Sequence, residues 1–181
     1  FPDVGELIEA EAPRVVLADN EIAIINDVNG GTRLMEGSDP ATRSFFLPPF
    51  STLHKFPAVP PQAKPSTKFT TLPTILPTDF SVRTSDNVLI NLHARITFSI
   101  SSAKLFAERP IDFVAHLEIW LANTLLEEYA TLDMRSFMLK YQEVTKSAPD
   151  HANSRFGEYG LTISDVQIVH FDAEGVEARK Q

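Results

Sequence analysis

The sequence predicts an α+β protein in which a small antiparallel β module precedes a larger domain with an antiparallel sheet packed on helices. Three observations predict this class. Residues 88–100 alternate apolar and polar side chains, residues 111–148 repeat apolar side chains at helical spacing, and residues 161–171 return to an extended pattern. The order is therefore hairpin, helices and a final strand, with the helices on the apolar face of the sheet.

The larger domain begins with a hairpin whose second strand is long and regular. From Val88 to Ile100 the even positions are apolar, so one face of the strand is buried and the other is polar. Phe80 and Val82 lead into the turn-prone residues 84–87, which predicts a first strand before this ribbon. The polar face carries Asn91, His93, Arg95 and Thr97.

Two helices follow a short helix predicted at 101–106. Pro110 is predicted in the first turn of the helix over residues 111–129. Its buried face is Phe113, Val114, Leu117, Leu121, Thr124 and Leu125. Its polar face is Asp112, His116, Asn123 and Glu127, interrupted by Ile119, with Trp120 at the border. Such an apolar break in a polar stripe can mark an interface or can pack under a loop of the same chain.

The second helix and the last strand complete the domain. Thr131 is predicted to cap the helix, and Pro149 to end or kink it. Its buried side is Met134, Phe137, Met138, Tyr141, Val144 and Ala148. In the strand at 161–171, the apolar residues change from odd to even positions at Ser164–Asp165, which predicts a β-bulge.

The first part of the chain is predicted to be a separate β module. β-branched runs at 15–17 and 22–25 and a tight hairpin at 29–31 indicate short strands. Six prolines between Pro57 and Pro77 predict an extended connector that acts as a hinge. The predicted division is 1–56 β module, 57–78 connector, 79–172 larger domain and 173–181 the start of a C-terminal helix. Because the chain begins with Phe1 and ends in helix-like VEARKQ, we expect a segment of a longer protein.

Composition is that of a soluble globular protein, with 43% hydrophobic and 22% charged residues. No cysteine is present, which excludes disulfides and thiolate metal sites. The net charge is −8, but residues 40–78 contain four Lys or Arg and no Asp or Glu. This segment suits anionic lipid, an acidic neighbour or simple solvation, and its charges are too dispersed for direct nucleic-acid contact.

No catalytic, cofactor or metal signature is found, so we predict that the protein is not an enzyme and has no cofactor. The sequence contains no HExxH, nucleophile elbow, phosphate loop or dinucleotide fingerprint. Asp112 and His116, four residues apart, predict a local ion pair or hydrogen bond without a nucleophile. His93 and His170 both lie on predicted strands and can be neighbours, although surface histidines explain them better than a metal pair.

Several stretches, taken in order, resemble a known family. They are Pro13–Val16, Asn20–Glu21, the turn at Asp27, Arg33 and Gly37 in the β module, then LPTDFSVRTSDNVLINLHARITFSI, Ala103–Phe106, Asp112–Val114 and Gly160–Val166. Over essentially the whole chain this arrangement resembles the last repeat and shoulder domain of the major vault protein family. More widely, it resembles the SPFH or band 7 family of stomatin, prohibitin and flotillin. A single repeat, a connector richer in proline and a shorter loop before Gly160 depart from the vault pattern.

The resemblance implies a structural subunit without settled enzymatic activity that assembles side by side into a large ring or cage. In its sharpest form this is a cytoplasmic, vault-like ribonucleoprotein shell, in which this segment makes no direct nucleic-acid contact. The alternative is a membrane-associated scaffold with FFLPPF and the acid-free segment on lipid. A weaker alternative is a ligand-binding or hydrolytic domain at Asp112 and His116. The predicted contacts between copies are Asn91, His93, Arg95, Asp112, His116, Ile119 and Trp120.

Overall fold

The computed structural model describes residues 14–59 and 64–173, and within these ranges the chain forms strands and helices as the α+β prediction requires. The strands are β1 Arg14–Val16, β2 Glu21–Asn26, β3 Thr32–Glu36, β4 Ser44–Phe46, β5 Thr52–Leu53, β6 Phe69–Thr70, β7 Thr74–Arg83, β8 Leu89–Ile100 and β9 Leu161–Ala173. The helices are α1 Ala103–Glu108, α2 Phe113–Tyr129 and α3 Met134–Phe156, followed by a 3-10 turn at Gly157–Tyr159. The predicted fold class is confirmed.

The main sheet has the order β7-β8-β9 and is antiparallel throughout. The predicted alternation in β8 is confirmed, because every even position from Ile90 to Ile100 is buried. These side chains share one core with the apolar sides of α2 and α3. The helices therefore cover one face of the sheet, and the opposite face carries the polar row.

The first strand of the hairpin is longer than the sequence predicted. β7 begins at Thr74, so residues 74–78 of the predicted connector are strand. Pro77 pairs with Arg95 in this outer strand. Proline has no backbone N–H, and an outer strand tolerates it because the outward-facing backbone groups make no hydrogen bond to another strand. The turn is closed by Thr84, whose hydroxyl accepts a hydrogen bond from the Val88 backbone N–H at 3.0 Å.

β9 contains two irregularities where the sequence predicted one. The register with β8 skips Ser164, between the pairs Thr97–Asp165 and Phe98–Ile163, which confirms the predicted bulge. It also skips Val169, which was not predicted. Two extra residues on one strand bend it, and this suits a sheet that curves around two helices.

α2 begins two residues later than predicted. Its N-cap is Asp112, whose carboxylate accepts a hydrogen bond from the Ala115 backbone N–H at 3.2 Å. Pro110 therefore precedes the cap, and its predicted place in the first turn is wrong. The carboxylate satisfies a backbone donor that has no partner inside the helix, which fixes the start at Phe113.

α3 has a different N-cap from the predicted one, and it does not end at Pro149. Asp133, not Thr131, is the N-cap: its carboxylate accepts from the Ser136 N–H at 2.7 Å, while the Thr131 hydroxyl donates to the Glu128 carbonyl at 2.8 Å. The helix also continues through Pro149 to Phe156.

Met138, predicted to be buried, is 52% exposed. The fully buried side of α3 is Phe137, Thr145, Ala148, Ala152 and Phe156, and this stripe passes to one side of Met138.

The N-terminal strands form two small sheets. β1 pairs with β4, and β2 is flanked by β3 and β5, with β6 pairing to its beginning. The predicted tight hairpin is confirmed: the Asp27 N–H donates to the Gly31 carbonyl at 2.8 Å, and Gly30 has a φ of 82°.

The connector, where it is described, is packed and is not a hinge. Val59 and Phe69 are buried in the same core as β8 and α2, and β6 pairs with β2. Phe56 stacks on Phe106 of α1 with ring centroids 6.0 Å apart, which joins the β module to the larger domain. The boundaries at 56/57 and 78/79 remain a prediction. Predictions for 1–13, 60–63 and 174–181 lie outside the described residues, and Ala173, the predicted helix start, ends β9.

Candidate functional site: the polar face and edges of the sheet

The polar face of the main sheet carries a compact group of histidines and aspartates. His93 of β8 stands directly opposite His170 of β9, as predicted, and their rings stack with centroids 5.6 Å apart. His93 Nδ1 lies 2.8 Å from an oxygen of Asp79, and His170 Nε2 lies 3.0 Å from one of Asp172. Among the described residues no group of three or more His, Cys, Asp or Glu is arranged to hold a metal ion.

Two more predicted contact residues lie on the same face. The Asn91 amide oxygen accepts a hydrogen bond from the Ser81 hydroxyl at 2.7 Å, which ties β8 to β7. Arg95 is exposed between Pro77 and Gln167 on the neighbouring strands. The structure therefore places Asn91, His93 and Arg95 in one accessible row, as expected of alternate positions on one strand.

The four predicted contact residues on α2 separate into different environments. His116 is exposed and Ile119 is 61% exposed, so both are accessible on the outer side of the helix. Trp120 is only 6% exposed and packs edge-on against Phe156 of α3, with ring centroids 5.9 Å apart. Trp120 is thus part of the core, and its prediction as a contact between copies does not agree with the structure.

Asp112 and His116 do not form the predicted side-chain pair. The Asp112 carboxylate is bonded to the Ala115 N–H as the helix cap. The hydrogen bond that the structure shows between Asp112 and His116 is the backbone bond of the first helical turn, at 3.1 Å.

A groove of about 400 Å³ runs between the outer edge of β7 and α2. Its lining residues are Pro77, Thr78, Asp79, Phe80, Glu118, Ile119 and Ala122. Burial raises the pKa of Glu118, and the nearby Asp112 carboxylate raises it further. Glu118 was not predicted as a site residue, because the position of a glutamate on an amphipathic helix gives no sign of its burial.

A second groove, of about 300 Å³, runs between the outer edge of β9 and α3. It is lined by Tyr141, Gln142, Thr145, Lys146, Asp165, Val166, Gln167 and Ile168. Next to it, the Asn153 side chain of α3 accepts from the Ile163 N–H at 2.8 Å and donates to the Ile163 carbonyl at 3.1 Å. The Asn153 amide therefore satisfies both backbone groups of Ile163 at the outer edge of β9. The groove lies further along the strand, at Asp165–Ile168.

His54 lines a smaller groove of about 200 Å³ next to Pro57, Pro65 and Pro110. Its Nε2 atom is buried and has no hydrogen-bond partner among the described residues. Burial lowers the pKa of His54, which favours the neutral ring. The His54 ring also packs edge-on against the buried Phe56 ring, with centroids 5.1 Å apart, so it contributes to the packing of the core.

The tip formed by β1, β4 and the following turn exposes apolar side chains. Phe50 is 91% exposed and Phe46 is 63% exposed, and Val16 is on the same face of the β1–β4 pair as Phe46. The Lys68 ammonium group donates to the Val16 carbonyl at 2.7 Å, which places a cation beside this apolar surface. Phe46 and Phe50 of the FFLPPF stretch are thus exposed, whereas Phe45 is half-buried.

Fold and surface define a class: an α+β domain whose antiparallel sheet is covered by helices on one face and has helix-flanked grooves at both edges. The profile of the SPFH domain / Band 7 family matches residues 20–179, which is most of the chain. The protein belongs to this family. No curated protein was found to match the chain.

Family membership indicates a scaffold-type function. The family is generally non-enzymatic, its members commonly form oligomeric assemblies, and they are often membrane-associated. None of the helices in the described residues is long and apolar enough to span a membrane.

Proposed function

We propose that this protein is a structural subunit whose copies assemble side by side through the edges of the main sheet. The observation that carries the proposal is the pair of grooves at opposite edges of one three-stranded layer. β7 pairs only with β8, and β9 pairs only with β8, among the described residues. An outer strand presents unpaired backbone groups, which a second chain can meet.

The accessible contact residues support a lateral assembly. Ile119 lies in the groove beside β7, where an exposed apolar side chain can be covered by a neighbouring copy. Asp112 and His116 lie at the start of the same helix. Asn91, His93 and Arg95 form a polar row on β8 that a neighbouring copy can contact. Trp120 contributes to this surface only indirectly, because it packs against Phe156 and so holds α2 against α3.

The finer form of the proposal is a subunit of a vault-like ribonucleoprotein shell in the cytoplasm. Its support is the resemblance of the hairpin, the α1 region and the Gly160–Val166 strand to the vault shoulder. A large cage of equal subunits requires contacts at two different surfaces of each copy, and the two grooves are different surfaces.

Sedimentation velocity and negative-stain microscopy of the protein test both levels. Side-by-side assembly predicts species larger than a monomer whose population rises with concentration. A vault-like shell further predicts closed rings or cages of uniform diameter. Monomers at every concentration and salt condition would refute the assembly, whereas filaments or irregular sheets would refute only the closed shell.

Ile119→Glu tests the helix contact directly. Because Ile119 is exposed in the single chain, a charge there is expected to leave the fold stable and to reduce the oligomer population. Val28→Glu is the matched control, since Val28 is 70% exposed on the β2–β3 turn and does not line the groove beside β7. Oligomer size equal in the two variants would remove Ile119 from the interface.

A second candidate function is a scaffold on a membrane surface. It is favoured by the exposure of Phe46 and Phe50 in a segment with cations and no carboxylates. Aromatic side chains beside cations suit the interface of an anionic bilayer. The protein would then float with vesicles that contain phosphatidylserine and less with neutral vesicles.

Phe50→Asp should abolish this flotation, because it places a carboxylate at the point of contact. Leu139→Asp on α3 is the control, since Leu139 is also largely exposed but lies far along the chain from the tip. If wild-type protein stays at the bottom of the gradient with anionic vesicles, the membrane candidate is excluded.

A further inference from the structure

The second irregularity of β9 determines which of its side chains reach the polar face of the sheet. The register with β8 skips Val169, so that His170 stands opposite His93. Phe171 then packs against the core, while His170 and Asp172 are exposed on the polar face. The extra residue leaves the apolar Val169 side chain 51% exposed. Bulges re-aim the side chains that follow them, and this one brings His170 and Asp172 to His93.

Each histidine of this pair has a carboxylate at one of its ring nitrogens. His93 Nδ1 lies 2.8 Å from Asp79 Oδ1, and His170 Nε2 lies 3.0 Å from Asp172 Oδ1. An ionised carboxylate only accepts hydrogen bonds, so in both contacts the ring nitrogen carries the proton and donates it. A neutral imidazole has one N–H, and its other nitrogen bears a lone pair. The nitrogens with lone pairs are therefore His93 Nε2 and His170 Nδ1.

Histidines held in this way by carboxylates are well suited to bind a metal ion. The carboxylate fixes the tautomer and the orientation of the ring, and it makes the other nitrogen a stronger ligand. The rings of His93 and His170 are nearly parallel, at 12°, with centroids 5.6 Å apart. Two imidazoles bound to one tetrahedral zinc ion, with Zn–N distances of about 2 Å, have centroids about 5 Å apart. Small rotations of two exposed side chains are enough to cover this difference.

The charges around the pair also favour a cation. The second carboxylate oxygen of Asp172, Oδ2, faces His93 Nε2 across 4.0 Å. This separation is too long for a hydrogen bond and is about the span of two ligands across one zinc ion. Asp79 adds a second negative charge on the other side of the His93 ring. Arg95, a cation on the same face, is two residues further along β8.

We propose that His93 and His170 form a zinc site, in which His93 Nε2 and His170 Nδ1 bind the ion and water completes its coordination. Asp79 and Asp172 hold the two rings and supply negative charge. The site thus has two histidine ligands, and no three-residue metal cluster is required, in agreement with the described part of the chain. Imidazole suits zinc and neighbouring first-row ions, whereas Mg²⁺ and Ca²⁺ require oxygen ligands. The sequence alone favoured ordinary surface histidines, because it showed neither the second bulge nor the two carboxylate contacts.

A zinc ion at this position would join β8 to β9 next to the second bulge. The inference is separate from the proposed assembly, because both ligands belong to one chain and neither lines the groove at either edge of the sheet. The two histidines are 77 residues apart along the chain, so only the folded protein presents them together. Zinc is therefore expected to stabilise the folded state.

Titration calorimetry with zinc chloride tests the site on the whole chain after treatment with a chelator. Wild type is expected to bind one zinc ion per chain. His93→Gln and His170→Gln each remove a ligand and should weaken binding at least about tenfold. Asp79→Ala should weaken it about tenfold, because the His93 ring loses its carboxylate partner. Magnesium chloride should give no heat of binding.

His116→Gln is the matched control, since His116 is also an exposed histidine but lies on α2. It should bind zinc like wild type. Zinc should raise the melting temperature of wild type and of this control, and not that of the His93 and His170 variants. Circular dichroism without zinc establishes that each variant is folded. If a histidine variant does not fold, Asp172→Asn replaces it and should weaken binding about tenfold.

The outcomes are distinct from those of the assembly experiment. Zinc binding that is lost in both histidine variants and kept in the control supports the site. Absence of zinc binding by wild type, binding that persists in His93→Gln and His170→Gln, or its loss in His116→Gln as well would overturn it. Sedimentation of the zinc-free protein tests the side-by-side assembly separately, so either proposal can fail while the other stands.

Discussion

Asn153 of α3 holds the outer edge of β9 through both ends of its side-chain amide. Its oxygen accepts from the Ile163 N–H at 2.8 Å, and its nitrogen donates to the Ile163 carbonyl at 3.1 Å. Ile163 is 1% exposed, so water reaches this part of the strand poorly. Asn153→Ala removes both hydrogen bonds and leaves two backbone groups without their partner.

The magnitude follows from these contacts. Each hydrogen bond contributes about 1 kcal/mol net, and a buried group left unsatisfied costs about 1–3 kcal/mol. Alanine recovers about 0.5 kcal/mol through its higher helix propensity. We expect the free energy of unfolding to fall by about 2 kcal/mol.

Urea unfolding followed by circular dichroism measures this change. The midpoint should fall while the slope of the unfolding free energy against urea stays constant. Asn123→Ala on the exposed side of α2 is the matched control and should change stability by no more than about 0.5 kcal/mol. Equal midpoints for the two variants would show that the Asn153 bonds do not hold the strand edge.

Three other substitutions test the core. Gly160 has a φ of 78°, and a Cβ there would lie 2.2 Å from the Ser102 carbonyl oxygen. Gly160→Ala should therefore lower the free energy of unfolding by at least about 2 kcal/mol, and a melting temperature within about 2 °C of wild type would contradict this. Burial lowers the pKa of His54 below its ordinary 6.5, so the folded state resists protonation; its stability contribution is present above pH 6.5 and is lost as pH falls toward the lowered pKa. His54→Phe should therefore flatten the decline of stability below pH 6.5, and an unchanged decline would refute the assignment. Phe56 is fully buried and stacks on Phe106, so Phe56→Ala should cost about 3–5 kcal/mol in urea unfolding, and a loss below about 1 kcal/mol would indicate that the β module does not share the core.

Elements set by a repeating pattern were predictable from the sequence. The alternation in residues 88–100 required one buried and one polar face, and the phase change at Ser164 required an extra residue in the strand. Both depend on the twofold repeat of an extended chain, which holds wherever the strand lies in the fold.

Elements that depend on a single side chain were predicted less well. Asp112 and Asp133 each cap a helix, whereas the sequence predicted Asp112 on the polar face of its helix and Thr131 as the cap of the next helix. Asp and Thr are both good caps, so composition alone does not choose between neighbouring candidates. The prolines at 57–77 predicted a hinge, but proline tolerates an outer strand as well as a linker, and Pro77 lies in β7.

The candidate site divides in the same way. The polar row of β8 was predicted, and the pairing of His93 with His170 was anticipated as an adjacency of two strands. The burial of Trp120, the groove around Glu118 and the Asn153 bonds to Ile163 were not predicted. Each requires knowledge of which elements pack together, and side-chain spacing along one helix does not contain it.

The sequence alone determined the α+β class, the long two-faced ribbon and the acid-free segment at residues 40–78. These follow from the order and spacing of residues, which act through local geometry. Only the tertiary structure decided that α2 and α3 border opposite edges of one sheet, and that Trp120 is enclosed while Ile119 is exposed. Such facts arise from contacts between distant parts of the chain, which the packing of the whole core selects.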